Sequence, residues 1–154
     1  MLSRLRFVFL VAAFLPALIN ASDDYALFDL KGNEHSVSDN RGKWIVMNFW
    51  ATWCAPCIHE MPELESFYKR NTKTATVWGV TFEDGEPAVI EEFVKKLEVT
   101  YPILGSGGDP TNPYGKVRVL PTTFLIDPDG KLFEKLEGPI TQTQIEQTIS
   151  RRSP

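Results

Sequence analysis

The chain has 154 residues, 43% of them hydrophobic, and this length suits a single domain with a full core. It carries 16 lysine and arginine residues against 20 aspartate and glutamate residues, which gives a formal net charge of −4 at pH 7. An acidic chain without a run of basic residues offers no electrostatic footprint for nucleic acid or for an anionic lipid surface.

The first 21 residues are typical of an export signal. Arg4 and Arg6 form a basic start, and an unbroken apolar run follows over residues 7–15. A proline then ends the run, and the simplest cleavage point lies after Ala21. The sequence therefore predicts a signal peptide over residues 1–21.

An uncleaved N-terminal segment is the alternative, because Ile19 is larger than the residues favoured near a cleavage site. The apolar stretch is nevertheless shorter than the roughly 20 residues that a helix needs to cross a bilayer. We expect residues 22–154 to form one domain in the periplasm, either free or anchored to the inner membrane by the uncleaved segment.

The first predicted elements of the domain are a hairpin, a strand and a helix. Residues 25–30 and 34–37 flank a Lys-Gly-Asn turn and predict an N-terminal β-hairpin. The strongly apolar residues 44–50 predict a buried strand. A helix is predicted over residues 54–70, with a kink at Pro62.

The middle of the chain continues this alternation. Residues 76–82 predict a second apolar strand, and a helix begins at Pro87, since proline is favoured at the first helical position. The short segment 101–104 is extended, and residues 105–115 form a plain connection without the spacing of a phosphate-binding motif. The predicted helix has an apolar stripe of Val89, Ile90, Phe93, Val94 and Leu97.

The last elements are a hairpin and a helix. Residues 122–126 and 131–136 predict two strands joined by an Asp-Pro-Asp-Gly turn, and residues 141–149 predict a final helix. Strands and helices alternate before this hairpin. The order predicts an α/β fold with a central mixed β-sheet and helices on both faces.

The only two cysteines, Cys54 and Cys57, lie at the junction between the buried strand and the following helix. The unpaired N–H groups and the dipole at a helix N-terminus favour a thiolate over a thiol at Cys54. Cys57 follows three residues later on the same helical face, close enough to form a disulfide with Cys54. This arrangement favours reversible thiol–disulfide exchange.

Two other interpretations of the cysteine pair are weaker. A zinc site needs about four ligands, and besides the cysteines the chain offers only His35 and His59. His59 follows Cys57 by two residues, where a helix directs it away from the sulfurs. A purely structural disulfide over so short a loop would restrict the unfolded chain little.

Three segments form a specific combination. They are Arg41-Gly42-Lys43, the sequence Asn-Phe-Trp-Ala-Thr-Trp-Cys-Ala-Pro-Cys at residues 48–57, and Leu-Pro-Thr-Thr-Phe-Leu-Ile-Asp at residues 120–127. Together they resemble the thioredoxin superfamily and, within it, the TlpA/ResA-like extracytoplasmic thiol–disulfide oxidoreductases, close to the thioredoxin-like proteins of cytochrome c maturation. The resemblance implies a thioredoxin-like fold, here with an N-terminal β-hairpin extension.

The resemblance also implies roles for residues around the cysteines. Pro121 would follow a cis peptide bond and face the disulfide, although the first residue of an edge strand is the alternative. The backbone of Leu120 would be free to pair with an extended substrate segment. Trp53, Ala55 and Pro56 would form the docking surface, with a core position as the alternative for Trp53.

Acidic residues near the cysteines are further candidates. Where thioredoxin has a buried aspartate this chain has Asn48, as the ResA-like branch does, and an asparagine cannot take up a proton. Glu60 matches the ResA-type glutamate, and there it would raise the pKa of the thiols or relay a proton through water. The alternative is a solvated helix residue. Glu83 and Asp84, near an acidic position of the maturation-type relatives, are expected to be solvated.

The sequence therefore predicts a periplasmic thiol–disulfide oxidoreductase with a dithiol mechanism. Cys54 attacks a substrate disulfide, and Cys57 resolves the mixed disulfide. The uncharged Ala55-Pro56 spacer favours a reductant, because strong oxidants depress the pKa of the nucleophile heavily. The alternative is a thiol-based metal-binding or partner-binding module without turnover.

The expected partners follow from this prediction. The resemblance implies protein substrates with disulfides, for example in cytochrome c maturation or in the maintenance of thiols at a metal site. It also implies a membrane electron-donor thiol protein that recharges the reductant. We expect a monomer that needs no cofactor or metal ion and binds no nucleic acid.

Overall fold

The computed structural model describes residues 25–152, so the predicted signal peptide lies outside the described part of the chain. The helices are α1 Ala55–Asn71, α2 Pro87–Lys96 and α3 Gln142–Ser150, and a 3-10 turn covers Ser38–Asn40. The strands are β1 Ala26–Asp29, β2 Glu34–Ser36, β3 Trp44–Trp50, β4 Ala75–Thr81, β5 Ile103–Gly105, β6 Thr111–Asn112, β7 Gly115–Lys116, β8 Thr122–Ile126 and β9 Leu132–Glu137.

Seven strands form one mixed sheet in the order β2-β1-β5-β4-β3-β8-β9, and β6 pairs with β7 in a separate small hairpin. Strand β4 pairs in parallel with both β3 and β5, whereas the other neighbours in the sheet are antiparallel. The central strand β3 is buried along its whole length. The predicted N-terminal hairpin, buried central strand and mixed sheet are confirmed.

The α-helices pack on one face of the sheet. Buried side chains of all three helices belong to one core cluster, together with every second residue of β3 and β4. The sequence predicts helices on both faces, and the structure differs because β3, β4 and β5 follow one another in the same direction across the sheet. Right-handed crossovers then place both connecting helices on the same side.

Loop segments and a small hairpin cover the face of the sheet opposite the α-helices. Tyr114 and Val117 pack there against the buried side chains of Met47, Trp78 and Phe124. The sequence predicts a plain connection over residues 105–115, but in the structure this segment contains the small hairpin of β6 and β7 and packs on the sheet. The segment therefore closes the core.

Helix α2 presents a narrower apolar stripe than the sequence predicts. Ile90 and Val94 are buried and Phe93 is half-buried, whereas Val89 is 64% exposed. Val89 points to solvent because it lies off the face that meets the sheet. Within residues 25–152 we find no helix long and apolar enough to cross a membrane.

Candidate active site

The cysteine pair lies where β3 passes into α1. Cys54 is the residue immediately before α1, and its N–H donates to the carbonyl of Ala51 at 3.1 Å. Pro56 occupies the start of the helix, where a missing N–H costs no helical hydrogen bond. The Cys54 and Cys57 sulfurs are joined in a disulfide of 2.06 Å. The predicted strand-to-helix placement of the pair is confirmed.

The two sulfur-bearing residues differ in burial. Cys54 is 6% exposed and Cys57 is 1% exposed. The neighbouring side chains of Trp53, Ala55 and Pro56 are exposed, and 69% of Trp53 is open to solvent. The core alternative for Trp53 is therefore wrong, and the disulfide lies at the base of an exposed and partly aromatic surface.

A second chain segment reaches the same end of the sheet. The Leu120–Pro121 peptide bond is cis, and Pro121 directly precedes β8. Strand β8 pairs with β3 so that Thr122 lies opposite Phe49, close to the point where β3 leads into the cysteine turn. Half-buried Leu120 and exposed Val119 lie on the approach to this proline.

Glu60 is buried one helical turn after Cys57, with 3% of its surface exposed. Its carboxylate accepts a hydrogen bond of 2.8 Å from Asn48 Nδ2 and one of 2.7 Å from the N–H of Ile140. Burial raises the pKa of Glu60 to about 7, and the two hydrogen bonds oppose this shift only in part. The alternative of a solvated helix residue is wrong, and Glu60 can exchange a proton near neutral pH.

Asn48 can serve both protonation states of Glu60. Its Nδ2 group donates to Glu60 and, at 3.0 Å, to the hydroxyl of Thr123, while its Oδ1 atom has no hydrogen-bond partner among the described residues. Rotation of the amide by half a turn would present Oδ1 to a protonated Glu60 carboxyl. An aspartate in this position would instead add a second negative charge beside Glu60.

Glu83 is another acidic residue at this end of the sheet, and the sequence does not predict its contacts. Its carboxylate accepts a hydrogen bond of 3.3 Å from the Thr52 N–H and one of 3.0 Å from the Thr52 hydroxyl. The prediction of a solvated side chain is therefore wrong for Glu83. Parallel pairing of Trp50 with Thr81 brings residues 52 and 83 to the same level, and no sequence signal specifies this long-range register.

The histidines lie away from this arrangement. His59 is exposed on α1, and His35 lies on the N-terminal hairpin, with its Nε2 atom 3.4 Å from a carboxylate oxygen of Asp29. Within residues 25–152 there is no group of three or more histidine, cysteine or acidic side chains that could hold a metal ion.

The arrangement supports a specific kind of chemistry. A disulfide at a helix N-terminus can be reduced to a dithiol whose first sulfur is stabilised as a thiolate. A buried carboxyl lies one turn further along the helix, and its pKa of about 7 allows it to accept or donate a proton near neutral pH. The exposed surface around Trp53 allows a large molecule to approach Cys54.

Comparisons with known proteins agree with this chemistry. The sequence matches the AhpC/TSA family over residues 20–135. The thiol-disulfide oxidoreductase ResA of Geobacillus thermodenitrificans is 39% identical over 140 residues, which cover 90% of this chain and 79% of that protein. The family match includes Cys54 and Cys57 of this chain.

Solved structures show the same fold. The crystal structure of StoA from Bacillus subtilis has a TM-score of 0.67 at 28% identity and covers 81% of this chain and 95% of that chain. The pneumococcal exposed lipoprotein thioredoxin Etrx1 from Streptococcus pneumoniae strain TIGR4 has a TM-score of 0.66 at 28% identity and covers 83% of this chain and 98% of that chain.

Proposed function

The chain belongs to the thioredoxin-like AhpC/TSA family and is a thiol–disulfide oxidoreductase, and on this basis we propose that it reduces protein disulfides outside the cytoplasm. One observation carries the proposal. The Cys54–Cys57 disulfide lies at the start of α1, and the carboxyl of Glu60 is buried one turn behind it.

Reduction of a substrate proceeds by two exchanges of sulfur bonds. The Cys54 thiolate attacks one sulfur of the substrate disulfide, and the other sulfur leaves as a thiolate that takes a proton from solvent. Cys57 loses its proton to Glu60 and attacks the Cys54 sulfur, which closes the Cys54–Cys57 disulfide and releases the second substrate thiolate. The substrate gains two electrons, and the dithiol is oxidised.

The exposed residues around the disulfide support a docking surface for proteins. Exposed Trp53, Ala55 and Pro56 contact the substrate beside Cys54. Pro121, which directly precedes β8, supports this surface from the same end of the sheet. The backbone of Leu120 pairs with an extended segment of the substrate. This docking mode suits an unfolded or flexible chain that presents a disulfide.

The uncharged spacer between the cysteines supports the reductant direction, and the N-terminal segment supports a location outside the cytoplasm. The Ala55-Pro56 spacer carries no charge that would stabilise the Cys54 thiolate strongly, so the reduced form keeps its reducing power. The export signal over residues 1–21 brings the domain of residues 22–154 to the periplasm, where a membrane thiol protein recharges it. Substrates are thiol proteins such as apocytochromes c or metal-site proteins.

Two measurements on one sample test this function. We expect the wild-type domain to accelerate the reduction of insulin by dithiothreitol and Cys54→Ser to leave it at the uncatalysed rate. We also expect a reduction potential below roughly −200 mV, because no charge in the spacer stabilises the thiolate. A wild-type domain without acceleration would contradict the exchange function and favour a binding module. A potential near about −120 mV would contradict only the reductant direction.

A further inference from the structure

The turn that leads from β3 to Cys54 donates hydrogen bonds to Glu83, a residue that follows the neighbouring strand β4. Only the three residues Ala51, Thr52 and Trp53 separate β3 from Cys54. The Glu83 carboxylate accepts both the N–H and the hydroxyl proton of Thr52, the middle residue of this turn. Hydrogen bonds to an ionised acceptor are about twice as strong as neutral ones, and two of them to one residue fix its orientation.

The register of the sheet holds this contact in place. Trp50 and Thr81 end two neighbouring parallel strands, and the N–H of Phe82 continues the pairing with a 2.8 Å hydrogen bond to the Trp50 carbonyl. Glu83 follows directly, so a rigid strand end sets the position of its carboxylate. Ser106 ties the same strand end to its other neighbour through hydrogen bonds from its N–H and hydroxyl to the Thr81 carbonyl.

The contact matters most when the disulfide is open. In the oxidised protein the bond to Cys57 holds Cys54 against α1. This restraint is lost in the dithiol and in the mixed disulfide. The bonds between Glu83 and Thr52 involve neither sulfur and can persist through every step of the exchange.

We propose that Glu83 is a positioning residue for thiol–disulfide exchange. Through Thr52 it holds the turn so that Trp53 faces the substrate and Cys54 keeps its place at the helix N-terminus. This inference rests on the proposed exchange function. It gives a role to an acidic side chain that lies outside the Cys-x-x-Cys motif and apart from Glu60.

The charge of Glu83 adds a second and separable effect. The carboxylate lies 3.3 Å from the Thr52 nitrogen, and two residues of chain span at most about 7 Å, so the charge lies within roughly 10 Å of the Cys54 backbone. A negative charge at this range opposes the formation of a thiolate at Cys54. Glu83→Gln removes the charge and keeps an oxygen acceptor for Thr52, whereas Glu83→Ala removes both.

The test compares these two variants by insulin-reduction kinetics and by the pH profile of Cys54 alkylation. For Glu83→Ala we expect kcat/KM to fall about tenfold, because misplacement of a reacting group costs rate even at small displacements. For Glu83→Gln we expect kcat/KM within about threefold of wild type, and an alkylation midpoint about 0.5 pH unit lower.

Matched variants separate positioning from charge and from folding. Asp84→Asn removes an equal charge one residue further on, where the carboxylate lies beside Gly108, and should leave kcat/KM unchanged. Thr52→Val should lower kcat/KM by about threefold through loss of one hydrogen bond, and Thr52→Ser should restore it.

Three results would overturn the inference. The first is a Glu83→Ala variant with wild-type kcat/KM and alkylation profile. The second is an equal loss of activity in Asp84→Asn. The third is a combination of two observations. Glu83→Ala loses kcat/KM only because it unfolds, and the folded Thr52→Val variant has the kcat/KM of wild type. Wild-type insulin reduction reports separately on the proposed function, since its failure would leave every variant equally inactive.

Discussion

Glu60→Gln should slow the resolution of the mixed disulfide at pH 7 by about 100-fold, the lower end of the range expected when a general base is lost. Cys57 must lose a proton before it attacks, and the neighbouring Asn48 cannot accept one. The amide in the variant cannot accept it either. The variant should also shift the alkylation of Cys54 to lower pH, because a negative charge near the thiolates is removed.

Stopped-flow reduction of a model disulfide and alkylation across pH 5–10 measure both effects. The matched control is Glu63→Gln, one turn further along α1, where the exposed carboxylate accepts a hydrogen bond from the Gln142 N–H. It removes the same charge from the same helix and should behave like wild type. Resolution rates and pH profiles that superimpose for wild type and Glu60→Gln would show that Glu60 takes no part in the exchange.

The second large effect is on stability. The oxidised wild-type protein should lose about 3 kcal/mol of unfolding free energy between pH 5 and pH 8.5 relative to Glu60→Gln. Burial raises the pKa of Glu60 from 4.5 in an exposed setting to about 7 in the folded protein. The folded state therefore binds the proton more tightly, so this contribution is fully present below pH 4.5 and is lost as the pH rises through 7.

Urea unfolding of both oxidised proteins at the two pH values measures this contribution. At pH 5 the neutral carboxyl and the amide have the same shape, and rotation of the Asn48 side chain satisfies either, so the stabilities should be similar. At pH 8.5 the variant should be the more stable protein. Hydrogen bonds lower the pKa values of Asp29 and Glu65, but these carboxylates are present in both proteins and cancel in the comparison. A difference that stays constant with pH would contradict a buried titrating Glu60.

Much of the fold could be predicted from local patterns. The apolar run of β3, the proline at the start of α2 and the Asp-Pro-Asp-Gly turn before β9 each depend on a few adjacent residues, and the structure confirms these elements. The face on which the helices pack depends instead on the order of strands in the sheet. This order is set by long-range pairing and does not follow from the alternation of strands and helices.

In the active site, too, some features follow from local sequence and others depend on long-range packing. The cysteine pair could be identified from a motif of four residues, whereas the burial of Glu60 depends on Ile140, 80 residues away. The contact between Glu83 and Thr52 depends on the register between two parallel strands, which no local pattern specifies. Helical spacing places Glu60 near the sulfurs, but only tertiary packing removes it from water and raises its pKa.

The most direct test of the dithiol mechanism is to trap the intermediate. Reduced Cys57→Ser, mixed with a protein disulfide such as insulin, should accumulate a stable mixed disulfide because the resolving thiol is absent. Peptide mapping by mass spectrometry should place the bond at Cys54, and Cys54→Ser should give little or no adduct. No adduct with Cys57→Ser, or a stable adduct at Cys57 in Cys54→Ser, would contradict the assignment of Cys54 as the nucleophile.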